Sequence, residues 1–585
     1  MTAGLDSPVR APDDHPSEIA EDSLVLEAQG WTASADGAAP KIAALASLMN
    51  LAPPDPVARV TYTSRGNLLV IAGDAPARAC AIAESLAARL KVTFLSHEPL
   101  AAAHCASWSG ELAALEGYLG QFTARIERLR VEEGPESPQA RPAQFDLVLD
   151  FSAQPRFAMR APPQGYFRAP AADAALQAML VELSEAVGEF EKPRYFAYRE
   201  NLCAHSRSEV PGCSKCIDIC STQAISPDGD KVKVDPHLCM GCGACSTVCP
   251  SGAMTYQWPR VADRGAQVKQ LLTTYRHAGG RDPAIVFHDA GAGRELLVRA
   301  ATDSQGLPAR ALPLEAWHVA SIGLDVLLPA VAFGSTQVVA LVTPAEDREY
   351  VAALHEQMAI GQAVLSALGY EGQHFAVVEA GDPAALEAAF AKLAPAAGPR
   401  VPATFLLGND KRGSIELAVD HLVKHAPRPV DEIPLAAGAP WGEIRVDRDK
   451  CTMCMACVGA CPESALMDGV DQPLLKFLER NCVQCGLCAN TCPEDAITLH
   501  PRLLLTPAVR EARVVNETQP FHCVRCQKAF GTKQMVEAML GRLAGHSMFS
   551  GGQALERLRM CADCRVIDMM SAKDEVSVLG TGGRA

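Results

Sequence analysis

The chain has 585 residues, of which 48% are hydrophobic and 21% are charged. This composition is typical of a globular protein with about four domains and excludes a wholly disordered, collagenous or coiled-coil chain. The formal net charge of −15 makes nucleic acid an unsuitable partner, because the phosphate backbone attracts basic surfaces. No run reaches the about 18 uncharged apolar residues of a transmembrane helix, so we predict no membrane span.

Cysteine is the informative residue type, with 22 copies. Small secreted domains use cysteine for disulfides, but a chain of this length buries enough apolar surface without them. The N-terminal residues are polar and acidic and contain no apolar run typical of a signal peptide. We therefore expect a cytoplasmic protein whose clustered thiols stay reduced and serve metal or redox chemistry.

Residues 1–55 are polar and then alanine-rich, which predicts a loosely ordered leader with one short helix. Residues 56–195 alternate between strand-like runs and helical periodicity, which predicts an N-terminal α/β domain. Its predicted strands and helices are Asn67–Ala72, Ala75–Leu90, Lys91–Leu95, Phe145–Phe151 and Ala171–Phe190. Cys80 and Cys105 are interpreted as buried thiols, with a redox pair of Cys105 and His104 as the alternative.

Residues 196–260 are predicted to form a cysteine module. One run has the spacing Cys239-x2-Cys242-x2-Cys245-x3-Cys249 and is followed by proline. This spacing is typical of [4Fe-4S] ligands, because three thiolates on one tight loop bind three irons of a cubane and the distal cysteine serves the neighbouring cluster. In the partner run, nine residues in place of two follow the first cysteine, and serine follows the last cysteine where proline is usual. Its cysteines are Cys203, Cys213, Cys216 and Cys220.

This crossover assigns the eight cysteines of the module to two clusters. The first cluster would be held by Cys203, Cys213, Cys216 and Cys249. The second would be held by Cys239, Cys242, Cys245 and Cys220. Two alternatives stay open for the first cluster: Cys203 is a bystander beside a [3Fe-4S] centre, or His205 replaces it as a ligand.

The α/β pattern returns in residues 261–435, which predicts a central α/β domain. Its predicted strands and helices are Ala284–His288, Gln337–Thr343, Glu346–Leu368, His374–Glu379, Pro383–Leu393 and Gly413–His425. The first strand leads into Gly291-Ala-Gly293, which half-resembles the dinucleotide fingerprint. Leu296 replaces the third glycine, which close packing of helix and strand requires, so nucleotide binding is the minor alternative here.

Residues 436–502 contain two regular Cys-x2-Cys-x2-Cys-x3-Cys-Pro runs in tandem, the ligand pattern of a two-cluster ferredoxin. Structural zinc needs only four cysteines in two pairs, and eight exceed it. The crossover predicts one cluster on Cys451, Cys454, Cys457 and Cys492. It predicts the neighbouring cluster on Cys482, Cys485, Cys488 and Cys461.

Residues 503–585 are predicted to form a C-terminal domain that contains two CxxC pairs. These are Cys523, Cys526, Cys561 and Cys564. Two such pairs suit a tetrahedral metal ion, and zinc as a structural ion is the preferred interpretation. A rubredoxin-like iron or a fifth Fe–S cluster is the alternative. The long separation predicts that residues 531–559 fold as one or two inserted helices.

The tandem modules resemble the polyferredoxin family over about a fifth of the chain. Residues 280–500 resemble more loosely methyl-viologen-reducing hydrogenase delta subunits and the C-terminal part of heterodisulfide reductase A subunits, in which a small α/β domain abuts ferredoxin modules. That family's α/β domain carries cysteines for a [2Fe-2S] centre, but this chain has none between Cys249 and Cys451. The resemblance therefore implies a docking platform there. The layout also resembles chains that accompany molybdenum formate dehydrogenases.

The predicted fold class is α/β plus α+β: two small α/β domains, each followed by a two-cluster ferredoxin module, and a C-terminal metal-binding tailpiece. The predicted function is a relay of low-potential electrons through four [4Fe-4S] clusters to or from a partner redox enzyme or electron carrier, such as a formate dehydrogenase or a hydrogenase-type complex. No motif supplies a catalytic base or nucleophile, so we expect no catalysis by the chain alone. An assembly factor for a molybdenum or Fe–S enzyme and a nucleotide-using oxidoreductase subunit are the alternatives.

Overall fold

The computed structural model describes residues 38–131, 141–470, 472–549 and 552–571. The chain divides into two compact units. Unit 1 comprises the chain up to Tyr198 together with Lys215–Asp228 and Val232–Pro427, and unit 2 comprises Arg199–Ser214, Gly229–Lys231 and the chain from Arg428. Most of the predicted leader lies outside the described residues, and its described part contains the helix Ala38–Ala46.

The N-terminal part of unit 1 is built on a seven-stranded sheet. In spatial order the strands are Arg141–Phe145, Phe122–Val131, Ala106–Glu116, Lys91–Ser96, Asn67–Ile71, Leu147–Asp150 and Tyr166–Arg168. The last five are mutually parallel, and the first two extend the sheet in antiparallel pairing. The helices are Pro76–Leu86 and Asp173–Glu185. The three predicted strands are confirmed.

The structure differs from the prediction for this domain at two points. The hairpin of Ala106–Glu116 and Phe122–Val131 was not predicted, because two register shifts interrupt the alternation of apolar and polar residues that identifies a strand. The helix predicted to reach Phe190 ends at Glu185, and Gly188–Pro193 is a strand that pairs antiparallel with Arg59–Ser64.

The central part of unit 1 contains a four-stranded parallel sheet. Its strands in spatial order are Ala311–Ala316, Ala284–Asp289, Gln337–Val342 and Phe375–Glu379. The helices are Val261–His277, Ala292–Asp303, Leu324–Ala332, Arg348–Ala367, Pro383–Phe390 and Lys411–Lys424. Every residue of Leu324–Ala332 is buried, so this apolar helix is part of the core. Among the described residues, no helix combines the length and apolarity needed to cross a membrane.

The cysteine modules consist of short elements between the cysteine loops. In the first module these are Phe196–Tyr198, Lys215–Ile219, Ile225–Asp228, Lys231–Val234, Ala244–Val248 and Met254–Tyr256. Ser206–Arg207 and Val210–Pro211 form a two-stranded hairpin within unit 2. The short elements of the second module and of the strands beside it are Glu432–Pro434, Gly442–Val446, Ala456–Ala460, Leu466–Asp468, Leu474–Phe477, Leu487–Asn490, Ile497–Leu504 and Arg513–Glu517.

The C-terminal domain of unit 2 is a small hairpin followed by helices. The hairpin pairs Pro520–His522 with Ala529–Thr532. The helices are Lys533–Leu543, Gly552–Arg557 and Ala562–Ser571. The prediction of inserted helices between the two CxxC pairs is confirmed by the first two of them.

Candidate metal centres

A partly open pocket in the second module brings four predicted ligands together. These are Cys461, Cys482, Cys485 and Cys488. The remaining lining is largely apolar and includes Leu466, Phe477 and Leu487. Four thiols around an apolar pocket suit a compact inorganic group that is ligated only through sulfur. The residues present therefore fit a [4Fe-4S] cluster.

Electrostatic interactions in the second module link the cysteines of its two runs. Burial, followed by the charges of Cys454, Cys451 and Cys492, raises the pKa of Cys457 to about 12. Burial, followed by the charges of Cys482, Cys485, Cys461 and Cys457, raises the pKa of Cys488. In each case the distal cysteine of one run acts on the proximal cysteines of the other run.

In the first module, Cys220 lies near the complete run in the same way. The pKa of Cys245 is raised well above its ordinary value by burial and then by the charges of Cys242, Cys239, Cys220 and Cys216. Because these pKa values are raised, the buried thiols form thiolates together only when a cation compensates their charge. Iron supplies that charge when it is bound.

The three complete cysteine loops share one backbone conformation. The third and fifth positions of each loop have positive φ angles: Gly241 and Gly243, Met453 and Met455, and Gln484 and Gly486. Left-handed residues at alternate positions of a loop help to turn its backbone N–H groups toward one concave side, which favours an anionic group. The N–H groups of Ala465 and Ala496 also lie 3.2 Å and 3.4 Å from the Sγ atoms of Cys461 and Cys492. Such hydrogen bonds to sulfur raise the reduction potential of an Fe–S cluster.

The stretched run is divided between the two units. Cys203 and Cys213 belong to unit 2, and Cys216 and Cys220 belong to unit 1. The Nδ1 atom of His205 lies 3.0 Å from the carbonyl oxygen of Cys213, so this ring nitrogen binds the backbone. The assignment of Cys203 to the first cluster stays a prediction.

Buried and polar side chains beside the first module were not identified from the sequence. Lys411 is buried, and its Nζ donates to the carbonyl oxygens of Ser246, Thr247 and Cys249 at 2.6, 2.8 and 2.9 Å. Lys192 is also buried, which lowers its pKa to about 8, and its Nζ donates to the carbonyl oxygen of Cys239 at 2.8 Å. No local pattern reveals these lysines, because each is far in sequence from the loop that it contacts.

The serine that replaces the usual proline also has a partner. The hydroxyl of Ser221 hydrogen-bonds to that of Tyr350. Burial raises the pKa of Cys242 to about 12, and a hydrogen bond from Tyr350 partly opposes this effect. Ser221 thus orients a tyrosine toward a predicted cluster ligand.

The four C-terminal sulfur atoms all lie within 4.8 Å of one another. The Sγ atoms of Cys526 and Cys561 are 3.7 Å apart, and a tetrahedral ion with bonds of about 2.3 Å gives sulfur separations of about 3.8 Å. Burial opposes ionisation of Cys523, but hydrogen bonds from the backbone of Cys526, Cys561 and Arg525 outweigh it and lower the pKa to about 6. The four sulfur atoms are therefore close enough to bind one metal ion. They fit a cubane less well, because its four ligands bind irons at four separate corners.

Two other sequence features are not placed in a metal site. Cys80 and Cys105, predicted as buried thiols, are only partly buried and pack against the core of the N-terminal sheet. Burial, followed by the charge of Glu84, raises the pKa of Cys80, and burial followed by the charge of Cys80 raises that of Cys105. At the half-fingerprint, the carboxylate of Asp289 accepts hydrogen bonds from the N–H groups of Gly291 and Gly293 at 2.8 and 2.9 Å. A nucleotide phosphate would have to displace this carboxylate.

Comparison with known proteins agrees with the cysteine geometry. Two models described as 4Fe-4S dicluster domains match residues 211–253 and 450–497. An uncharacterized ferredoxin of Methanocaldococcus jannaschii is 42% identical over 43 residues, which cover 69% of that protein and 7% of this chain. The chain belongs to the ferredoxin family. Its two dicluster domains make it a polyferredoxin-like member with mixed α/β parts.

Larger relatives of this ferredoxin-family chain are subunits of redox enzymes. Hydrogenase-4 component A of Escherichia coli is 35% identical over 66 residues, which are 11% of this chain and 30% of that protein. Indolepyruvate oxidoreductase subunit IorA of Pyrococcus horikoshii is 50% identical over 50 residues, which are 8% of each chain. The chain therefore spans less than a third of these relatives. Their similarity supports iron–sulfur electron transfer as the function of the ferredoxin domains.

The contact of Lys411 with Cys249 predicts an effect on a reduction potential. Because a nearby positive charge favours the added electron, Lys411→Met is expected to make the potential of the cluster predicted at Cys249 more negative, by on the order of 50 mV. Lys411→Arg retains the wild-type value, and Lys424→Met, an exposed lysine of the same helix, serves as the control. Potentiometric titration followed by EPR measures the shift. An unchanged potential in Lys411→Met at full iron content contradicts the expected effect.

The C-terminal sulfur cluster predicts about one zinc ion per chain. Cys561→Ala removes one ligand, so zinc is lost and the C-terminal helices lose protection from hydrogen exchange, because metal binding and folding are coupled. Cys80→Ala is the matched control and retains both zinc and protection. Plasma mass spectrometry with sulfide analysis measures the metal. One iron in place of zinc indicates a rubredoxin-like site, and additional sulfide indicates a fifth cluster.

Proposed function

We propose that the chain is an electron relay that holds four [4Fe-4S] clusters, with the ligand sets given by the crossover. The observation that carries this proposal is the apolar pocket that brings together Cys461, Cys482, Cys485 and Cys488. When bound, the clusters supply one-electron redox chemistry, and the protein's residues set their positions and potentials. The buried thiols, the N–H groups that face Sγ atoms, and Lys411 and Lys192 perform these tasks in this chain.

The C-terminal domain has a structural role in this proposal. Within unit 2, the hydroxyl of Thr532 donates to the carbonyl oxygen of Thr452 at 3.1 Å, between Cys451 and Cys454. Arg542 forms a salt bridge with Glu494, which follows Cys492 by two residues. A metal ion held by the four cysteines would fix the hairpin that carries Thr532. The domain therefore covers and holds one cysteine loop of the second module.

The partner is proposed to be a multisubunit oxidoreductase of the formate dehydrogenase or hydrogenase type, or a protein electron carrier, in the cytoplasm. Two subunits of redox enzymes among the relatives support this class of partner. The net charge of −15 favours a partner with a basic docking surface, because complementary charges accelerate association. The α/β domains would provide the docking surfaces.

A reductive titration tests the relay. The anaerobically purified full chain is titrated with dithionite and then reoxidised with a viologen dye. A relay takes up and returns about four electrons per chain, one for each cluster, and keeps its iron through repeated cycles. In a parallel arm, the loaded chain is incubated with an iron-free ferredoxin. Transfer of clusters to that acceptor, together with incomplete return of electrons, supports the assembly factor instead and contradicts the relay.

A further inference from the structure

Gln484 occupies the third position of the loop that begins at Cys482, within unit 2. Gly241 and Met453 stand at the equivalent position of the two other complete loops. Of these three residue types, only glutamine has a side-chain N–H donor. The Nε2 atom of Gln484 donates to the Sγ atom of Cys482 at 3.3 Å and to the carbonyl oxygen of Glu443 at 3.0 Å. This loop therefore has a side-chain donor to a predicted ligand at a position where the other two loops carry glycine or methionine.

The direction of the Gln484 amide is determined by its two partners. The backbone oxygen of Glu443 is an acceptor, and so is the Sγ atom of Cys482 when it ligates iron, so a reversed amide would place Oε1 against both. In the observed direction, Oε1 is buried and accepts no hydrogen bond from the described part of the chain. A buried oxygen without a partner lowers the stability of a fold. Stability alone therefore does not account for glutamine at this position, whereas a hydrogen bond to sulfur does.

The strand beside the loop is shaped to receive the amide. A Cβ atom at Gly442 would lie 2.6 Å from the Cδ atom of Gln484, so a larger residue there would displace the amide. Gly442 and Glu443 begin the strand Gly442–Val446, which pairs antiparallel with Ile497–Leu504. The carbonyl oxygen that holds Nε2 thus belongs to a paired strand, which restricts its position.

An ion-pair cluster fixes the side chain of Glu443. Its carboxylate lies 3.0 Å from Nη2 of Arg502 and 2.8 Å from Nη2 of Arg513. Both arginines also bind the buried carboxylate of Glu479, at 2.8 and 2.7 Å. The two carboxylates and the two guanidinium groups balance in charge. This group of four therefore holds the strand in place without adding a net charge beside the predicted cluster.

Two backbone hydrogen bonds to sulfur are, by contrast, divided equally between the two ligand sets of the second module. The N–H group of Ala465 donates to Cys461, and that of Ala496 donates to Cys492. Each donor follows its cysteine by four residues, and the two cysteines belong to different predicted sets. These bonds affect both sets in the same way. The amide of Gln484 is therefore a feature that distinguishes one set from the other.

We propose that Gln484 raises the reduction potential of the cluster predicted at Cys461, Cys482, Cys485 and Cys488, and thereby contributes to a difference in potential between the two clusters of the second module. This inference rests on the proposed relay function. Reduction by one electron adds negative charge to the cluster and its sulfur ligands, and a hydrogen bond to Sγ stabilises that charge. The redox partner supplies the electron, dithionite replaces it in the experiment, and no proton or covalent bond moves. The amide of Gln484 therefore favours residence of the electron at this cluster.

Gln484→Met in the full chain tests this role. Methionine suits this backbone conformation, because φ is 55° at Met453 and 53° at Gln484. Loss of the hydrogen bond is expected to lower the reduction equilibrium constant of one cluster about tenfold, which is about 59 mV for a one-electron couple. The other three midpoints stay unchanged in a potentiometric titration followed by EPR. Gln223→Met is the matched control and leaves every midpoint unchanged, since Gln223 is an exposed glutamine with a similar φ of 49°.

A spectroscopic measurement separates the hydrogen bond from a purely structural effect. The chain is prepared with the heavy nitrogen isotope in the side-chain amide of glutamine only, and pulsed EPR of the reduced chain detects coupling of a cluster to that nitrogen. We expect the coupling in the unaltered chain and in Gln223→Met, and we expect its loss in Gln484→Met.

Iron content is measured first in each preparation. Unchanged midpoints in Gln484→Met at full iron content, or no nitrogen coupling in the unaltered chain, overturn the role of Gln484 and leave the relay intact. If Gln484→Met loses iron, the nitrogen coupling in the unaltered chain decides alone. If the unaltered chain binds no clusters, the relay itself fails.

Discussion

The structure of both ferredoxin modules depends on the cost of placing several thiolates close together in an apolar environment. Burial and mutual repulsion raise the pKa values of Cys242, Cys457 and Cys485 to about 12, so thiolates form there only with a compensating positive charge. Iron supplies most of this charge. The protein adds left-handed backbone turns that expose N–H groups and, beside the first module, two buried lysines. The same constraint explains why so few other residues are needed in these loops.

The sequence was sufficient for the cysteine pattern and for the regular buried strands. Asn67–Ile71, Ala284–Asp289 and Gln337–Val342 are short apolar runs of the kind that a parallel sheet buries on both faces, and they were predicted as strands. The helix Val261–His277 was missed, because the buried positions in its first half are Arg264 and Gly265, which weaken the apolar pattern there. Tandem positive φ angles at Met453 and Met455 were also not foreseen, since only the first module marks both positions of this loop with glycine.

The parts of the site that the sequence could not reveal come from long-range contacts. Lys411 is more than 160 residues from the loop that it contacts, and Tyr350 is 129 residues from Ser221. The hairpin between Cys203 and Cys213 contacts residues near 459 and 490, about 250 and 280 positions away in sequence. The serine in place of proline and the nine residues in place of two between Cys203 and Cys213 are both departures from the regular motif, and both have specific partners. Local spacing predicts the cluster ligands, and tertiary packing determines which distant residues contact the cysteine loops.

Anaerobic analysis of iron and acid-labile sulfide in the purified full chain tests the central claim most directly. The ligand sets assigned to the two modules predict about sixteen irons and an equal number of sulfides per chain, with an EPR signal after reduction by dithionite. A colourless preparation, or one with fewer than about eight irons per chain, would contradict the assignment of both modules.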